Sequence, residues 1–259
     1  MKYYDAIILS STFNQELDIL KDFILHLIEI SKKSNQIYKI LPVLVFEKSE
    51  EVKALNLNNF LIESGINNSV KILVNDYGVG FSSCLNYGIN NTHSKYIFRL
   101  DTDDKCLTKR LLKQLKIMET ENLDISNGFM YDEKQNILKY PTNKINFLMN
   151  IGLGMNPIAH PTICIRRSFL KIKYDERLKR AEDFDLWMIL LIKKNINWQC
   201  IKEPLVIYNT SNSRTKDKQN ALAQISLRLK YSVKLIIIAF VLILGVFPNL
   251  VRYLAVKNL

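Results

Sequence analysis

Ala6-Ile7-Ile8-Leu9 opens the chain with an unbroken apolar run, the pattern of a strand buried on both faces, and predicts a strand over residues 4–10. The polar turn Ser11-Thr12-Phe13-Asn14 leads into residues 15–34, where apolar positions recur with a helical period. The alternation then repeats. A strand is predicted over 40–46, a helix capped by Ser49 and running to about 64, a strand over 70–75, a glycine-bearing turn at 76–80 and a helix over 81–90. The next apolar run, Tyr96-Ile97-Phe98-Arg99-Leu100, passes directly into Asp101-Thr102-Asp103-Asp104. Strands and helices alternating across short turns predict an α/β fold with a mostly parallel central sheet and helices on both faces.

Past residue 104 the pattern predicts a helix over 108–121, a strand over 124–130, a polar hairpin over 132–140 and a loop over 151–157. His160-Pro161 precedes a strand over 162–165, and Ala181-Glu182-Asp183-Phe184-Asp185-Leu186-Trp187 opens a helix to about 194. The expected organisation is one domain over 1–215, with a nucleotide-binding half (1–104) and an acceptor-side half (105–215), followed by a helical segment over 216–259. In that segment residues 235–247 are apolar except Gly245, with Arg228, Lys230 and Lys234 before them and Pro248, Asn249, Arg252 and Lys257 after. Thirteen helical residues reach about 20 Å, short of a hydrocarbon layer of about 30 Å. Extension to Val256 supplies the length but takes in Pro248, Asn249 and Arg252. That pattern predicts a kinked helix lying in or dipping into the inner leaflet in preference to one that crosses the membrane, with a core helix or an oligomer contact as the other reading.

Composition narrows the classes. With 259 residues, 48% hydrophobic and 24% charged, the chain has the make-up of a folded globular protein. A net charge of +11 fits nucleic acid, an anionic membrane surface or an anionic small substrate. No zinc-finger spacing, aromatic RNA-binding signature or basic recognition stripe is present, which argues against nucleic acid. Cys84, Cys106, Cys164 and Cys200 form no C-x-x-C pair, and the first apolar run is too short for a secretion signal, so a cytoplasmic setting is expected.

Three carboxylates delivered at a strand end either bind a hard divalent cation, in the crevice where α/β sheets place ligands, or cap the next helix. Further motifs favour the cation. Thr12-Phe13-Asn14, Asn75-Asp76-Tyr77-Gly78 with Asn86-Tyr87-Gly88-Ile89, Arg99-Leu100-Asp101-Thr102-Asp103-Asp104, His160-Pro161-Thr162 and Glu182-Asp183-Phe184-Asp185-Leu186-Trp187 occur in that order. In this the chain resembles family 2 glycosyltransferases of the GT-A fold, in the exopolysaccharide and lipopolysaccharide branch, over about residues 4–210.

The resemblance implies a metal-dependent, inverting sugar transfer from a nucleotide-diphosphate sugar to a lipid-linked or growing glycan. It implies Mn²⁺ or Mg²⁺ held by Asp103 and Asp101, with Asp104 as a further ligand or support. Asp183 is then the general base, and Thr12, Asn14, Glu47, Asn86 and Asp101 contact the donor. Glu182, His160, Arg99 and Asp104 serve the acceptor side or support the site. Working on a polyprenyl-linked acceptor puts such an enzyme on the cytoplasmic face of the cell membrane, against its anionic inner surface, as a peripheral or monotopic protein. The chain departs from the family pattern at Phe46-Glu47-Lys48-Ser49, where an acidic pair is usual, at Leu85 before Asn86, and at Tyr208-Asn209-Thr210-Ser211-Asn212. Two other readings remain at this point: a nucleotidyltransferase, which would carry a glycine-rich phosphate loop that Ser10-Ser11-Thr12-Phe13-Asn14 lacks, and a non-catalytic scaffold at the membrane with a degenerate fold.

Overall fold

The computed structural model describes residues 3–34, 37–153, 155–171, 173–193, 196–210, 219, 222–227 and 229–231. Four strands come first: β1 (Tyr4–Thr12), β2 (Ile40–Glu47), β3 (Lys71–Asn75) and β4 (Ser94–Arg99). They pair in parallel in the order β3-β2-β1-β4 and are joined by α1 (Leu17–Ser34), α2 (Glu51–Glu63) and α3 (Phe81–Asn90). Because side chains alternate along a strand, Ala6 and Ile8 of β1 enter one core with α1 and α2. Ile7 and Leu9 enter a second core with α3 on the opposite face. A Cβ on Gly88 would stand 2.4 Å from a Leu9 methyl, so glycine is what lets α3 lie this close to β1. Strands 2 and 3 lie to one side of β1 and strand 4 to the other, which opens a crevice beyond the C-terminal ends of β1 and β4.

The remaining elements are β5 (Lys105–Cys106), α4 (Arg110–Thr120), β6 (Ile125–Tyr131), β7 (Ile137–Leu138), α5 (Lys144–Leu153), β8 (Cys164–Arg166), α6 (Glu182–Lys193) and β9 (Trp198–Ile207). They extend the same sheet from β4 through β8, β6 and β9 to β5, with β7 paired to β6. Here the expectation of a mostly parallel sheet needs correction. β8 runs antiparallel to β4 and β6, and β5 and β7 are antiparallel to their neighbours; only β9 against β6 is parallel. The cause is local. β8 begins at the edge where β4 ends, with the Arg99 N–H bonded to Ile163 O at 3.2 Å, so it can only run back the other way.

Smaller differences have equally local reasons. A short 3-10 turn, Lys48–Glu50, occupies the place expected for a Ser49 cap, and α2 starts at Glu51 without a side-chain cap. The loop expected over 151–157 yields its first residues to α5. β9 was not anticipated, because Gln199, Lys202 and Glu203 interrupt its apolar pattern and its register against β6 shifts around Phe129. Residues 235–247, expected to meet the membrane, lie outside the described residues; among the described residues no helix is long and apolar enough to cross a membrane.

Candidate active site

Pairing with β1 continues one residue past β4, where the Leu100 N–H reaches Leu9 O at 3.3 Å, so Asp101 emerges beside the end of β1. The chain then folds back, the Asp104 N–H donating to Asp101 O at 3.2 Å. This gathers Asp101, Asp103 and Asp104, with one carboxylate oxygen of each within 4.8 Å of the others. The helix-capping alternative fails, because α4 starts only at Arg110, with Lys109 at its cap position. Asp101 is paired with the buried Arg99. Asp104 is itself buried, and its Oδ1 accepts the Asn209 N–H at 2.9 Å, a donor brought there because β9 ends at the same edge as β4. Its Oδ2 has no partner.

Burial pushes the Asp104 carboxyl up to about 8, and the neighbouring charge of Asp101 pushes the same way against the pull of the Asn209 N–H. Three clustered carboxylates, one with a buried orphan oxygen, are short of positive charge. The all-oxygen donor set suits Mg²⁺ or Mn²⁺, and Asp101, Asp103 and Asp104 are the residues that would hold it.

The reversed direction of β8 brings His160 to the same place. Arg99 lies over the Phe81 ring, 4.8 Å from its centre, and the His160 ring stands edge-on to Phe81, Tyr174 and Trp187. His160 Nε2 meets the Tyr174 hydroxyl at 2.9 Å. Burial and then the Arg99 charge hold its pKa well below the usual histidine value, so it is neutral and packed between β4 and α6. Asp183 sits in the first turn of α6, just after Ala181, whose φ of 57° turns the chain into the helix. Its Oδ1 accepts the Phe184 N–H at 2.7 Å and its Oδ2 is bonded by the Asn156 amide. Burial, then the adjacent Glu182, pushes the Asp183 carboxyl up to about 7. Arg99 acts electrostatically on both Asp104 and Asp183, and both act on Tyr140. The strand-end cluster and the helix-start carboxylate therefore both lie in the neighbourhood of Arg99.

On the donor side Thr12 is buried at the end of β1 with its hydroxyl unpartnered, while Asn14 is exposed at a φ of 57° and gives its N–H to Glu50 Oε1 at 2.9 Å. Two residues expected at the donor also make bonds within the protein. Glu47 accepts the Gly80 N–H at 2.8 Å and so holds the 76–80 turn, whose Gly80 adopts a φ of 97°. Asn86 donates to Tyr174 O and Glu176 Oε1 at 3.0 and 2.7 Å and accepts the Tyr174 N–H at 3.1 Å. These bonds tie α3 to the 174–176 loop. Lys48, where the family pattern has an acid, faces outward to Glu51 and Asp76 at 2.8 and 3.3 Å. Glu50, Asn156, Tyr174 and Asn209 were missed. None has a spacing that marks it, although Asn209 falls in the stretch where the late family motif is altered.

The family model for glycosyl transferase family 2 matches residues 11–187, which takes in the acidic cluster, His160 and Asp183. The chain belongs to that family. It is 33% identical over 170 residues to the O-antigen biosynthesis glycosyltransferase WbnJ of Escherichia coli, covering 61% of this chain and 63% of WbnJ. The chain spans 55% of an uncharacterized glycosyltransferase of Methanocaldococcus jannaschii and 63% of WbnJ, so only part of the length of these relatives. Among solved structures, S. aureus TarS (residues 1–349) in complex with UDP-GlcNAc superposes with a TM-score of 0.60 at 16% identity, covering 82% of this chain and 60% of TarS. The mannosyltransferase PcManGT from Pyrobaculum calidifontis, in complex with GDP-Man and Mn²⁺, gives 0.56 at 10% identity over 85% of this chain and 60% of that one. These likenesses establish the GT-A-type α/β fold with its mixed sheet.

Proposed function

We propose that the protein transfers a glycosyl group from a nucleotide-diphosphate sugar to a hydroxyl of a lipid-linked or growing glycan, with inversion at the anomeric carbon, in cell-surface polysaccharide biosynthesis. The observation that carries this reading is the gathering of Asp101, Asp103 and Asp104 at the end of β4, with the buried carboxylate of Asp183 near the same Arg99. The donor complexes of TarS and PcManGT and the O-antigen role in the name of WbnJ support it.

Asp101, Asp103 and Asp104 would hold a divalent ion, which when bound would supply positive charge for a departing diphosphate. The chain's own residues do the rest. Asp183, held by Asn156 and the Phe184 N–H, accepts the proton of the acceptor hydroxyl as its oxygen bonds to the anomeric carbon and the bond to the diphosphate oxygen breaks. Arg99 keeps Asp101 in place and lowers the cost of charging Asp183. The basic charge balance suits work at the cytoplasmic face of the membrane, with residues 216–259 as the associating segment.

The test is donor turnover with Mn²⁺ in the wild type, Asp103→Ala and Asp183→Ala. Turnover of nucleotide sugars lost in both variants is expected. Turnover of nucleoside triphosphates instead would make the protein a nucleotidyltransferase, and no turnover in any form would make it a scaffold.

A further inference from the structure

A groove of about 220 Å³ runs along α3, between the 76–80 turn and Glu176. While Leu85 and Gly88 of α3 pack toward the sheet, Asn86, Tyr87, Asn90 and Asn91 line the groove, residues three and four apart being neighbours on a helix. From the turn comes Tyr77, its ring centre 6.0 Å from that of Tyr87 at a tilt of 34°. Tyr77 is 89% exposed, yet its turn is braced. Asn75 Nδ2 donates to Gly78 O and Ser83 Oγ at 3.1 and 3.0 Å, and Asn75 Oδ1 accepts the Tyr77 N–H at 3.1 Å. On the other wall the Asn86 amide donates to Glu176 Oε1 at 2.7 Å and so fixes that carboxylate. An aromatic ring left in solvent on a braced turn, beside a second ring and a row of amides, is built for a ligand.

We propose that this groove binds one neutral sugar unit of a glycan, apart from the reacting carboxylates. The lining decides the class. Amides and hydroxyls both donate and accept, as the hydroxyls of a sugar ring do, and the tyrosine faces suit its apolar C–H side. Among the described residues the one charged lining group is Glu176, so a phosphate or an anionic sugar would meet like charge with no cation to answer it. Lys71, which comes close to Asn91, has its ammonium on the Asn91 carbonyl at 2.6 Å. The volume suits a single ring, being smaller than the about 300–1,000 Å³ of sites that enclose a drug-sized ligand. Place agrees with class. Tyr87 stands six residues along α3 from Phe81, whose ring Arg99 covers, about 9 Å of helical rise. A glycan of several units can bridge that distance, with one unit in the groove and its end at the reaction site. That the bound unit belongs to the acceptor rests on the glycosyltransferase reading; sugar binding by the groove does not.

The experiment is saturation-transfer NMR on the full chain with the methyl glycosides of glucose, galactose, mannose and N-acetylglucosamine, and with methyl glucuronide as the anionic control. At least one neutral glycoside should bind, equally with and without EDTA and equally in Asp183→Ala, and the glucuronide should bind more weakly. The double variant Tyr77→Ala with Asn90→Ala, both exposed positions, should bind about tenfold less or lower still at an unchanged melting temperature. Binding of none of the neutral glycosides, binding that survives the double variant, or binding abolished by Asp183→Ala would each overturn the proposal, the last by moving the sugar to the reaction site. A double variant whose nucleotide-sugar hydrolysis falls together with its glycoside binding would overturn it too, by making the groove part of the donor site. Glycoside binding without any sugar turnover would refute the enzymatic reading and leave the groove intact, and turnover without glycoside binding would do the reverse.

Discussion

The acidic cluster at the end of β4 and the carboxylate at the start of α6 are held by different means. Asp101, Asp103 and Asp104 follow a parallel strand whose register with β1 runs from Tyr4 to Leu9, so backbone pairing sets their position. Asp183 follows irregular chain and is held by side chains: Asn156 on its carboxylate, and, within its own helix, Asp185 bound by Tyr231. Even the loop before α6 depends on such a clamp, since Asn86 grips the backbone of Tyr174. A group placed by sheet register tolerates changes in its neighbours, whereas one placed by single side chains fails when a clamp is cut.

The largest effect expected is on the clamped side. Asp183→Asn keeps the shape and removes the proton acceptor, and the transfer rate should fall about 10²–10⁴-fold with no loss of melting temperature. A variant within tenfold of wild type would move the base elsewhere. On the register-held side, Asp103→Asn should cost about 10²-fold and be partly rescued by more Mn²⁺, which Asp183→Asn should not be.

The pH profile separates the two sides further. The Asp183 carboxyl is raised to about 7 by burial, so it is protonated below that pH and the rate should climb as pH rises through it. The Asn156 amide favours the charged form, so Asn156→Ala should move the acidic limb to higher pH; an unmoved limb would detach Asn156 from the base.

Smaller effects concern stability. Gly88→Ala forces a methyl group onto Leu9 and should cost about 1–3 kcal/mol, read as a lower midpoint in chemical denaturation. Asn86→Ala should cost a similar amount, about 1–3 kcal/mol, because it strands the buried Tyr174 N–H. The smallest effect belongs to Lys48→Ala, which should leave both melting temperature and donor KM unchanged, since Lys48 faces Glu51 and Asp76 at the surface. A raised KM would place that lysine at the donor after all.

The same contrast governs what could be read in advance. The βα pattern through Arg99, the acids beyond it and the family motifs are encoded in runs of neighbouring residues, where apolar periodicity alone sets which face is buried and which end carries charge. So the first half of the sheet, its crevice and the order of the acidic groups followed from the chain itself. The reversed β8, the irregular strand β9, the Asn209 N–H on Asp104 and the Asn156 amide on Asp183 did not. Nor did the engagement of Glu47 by Gly80 and of Asn86 by Tyr174. These contacts join residues from 27 to 105 positions apart, and Asn86 to Tyr174 spans 88 of them. No local period constrains such pairs; only the packed sheet decides which distant donor reaches which buried acceptor.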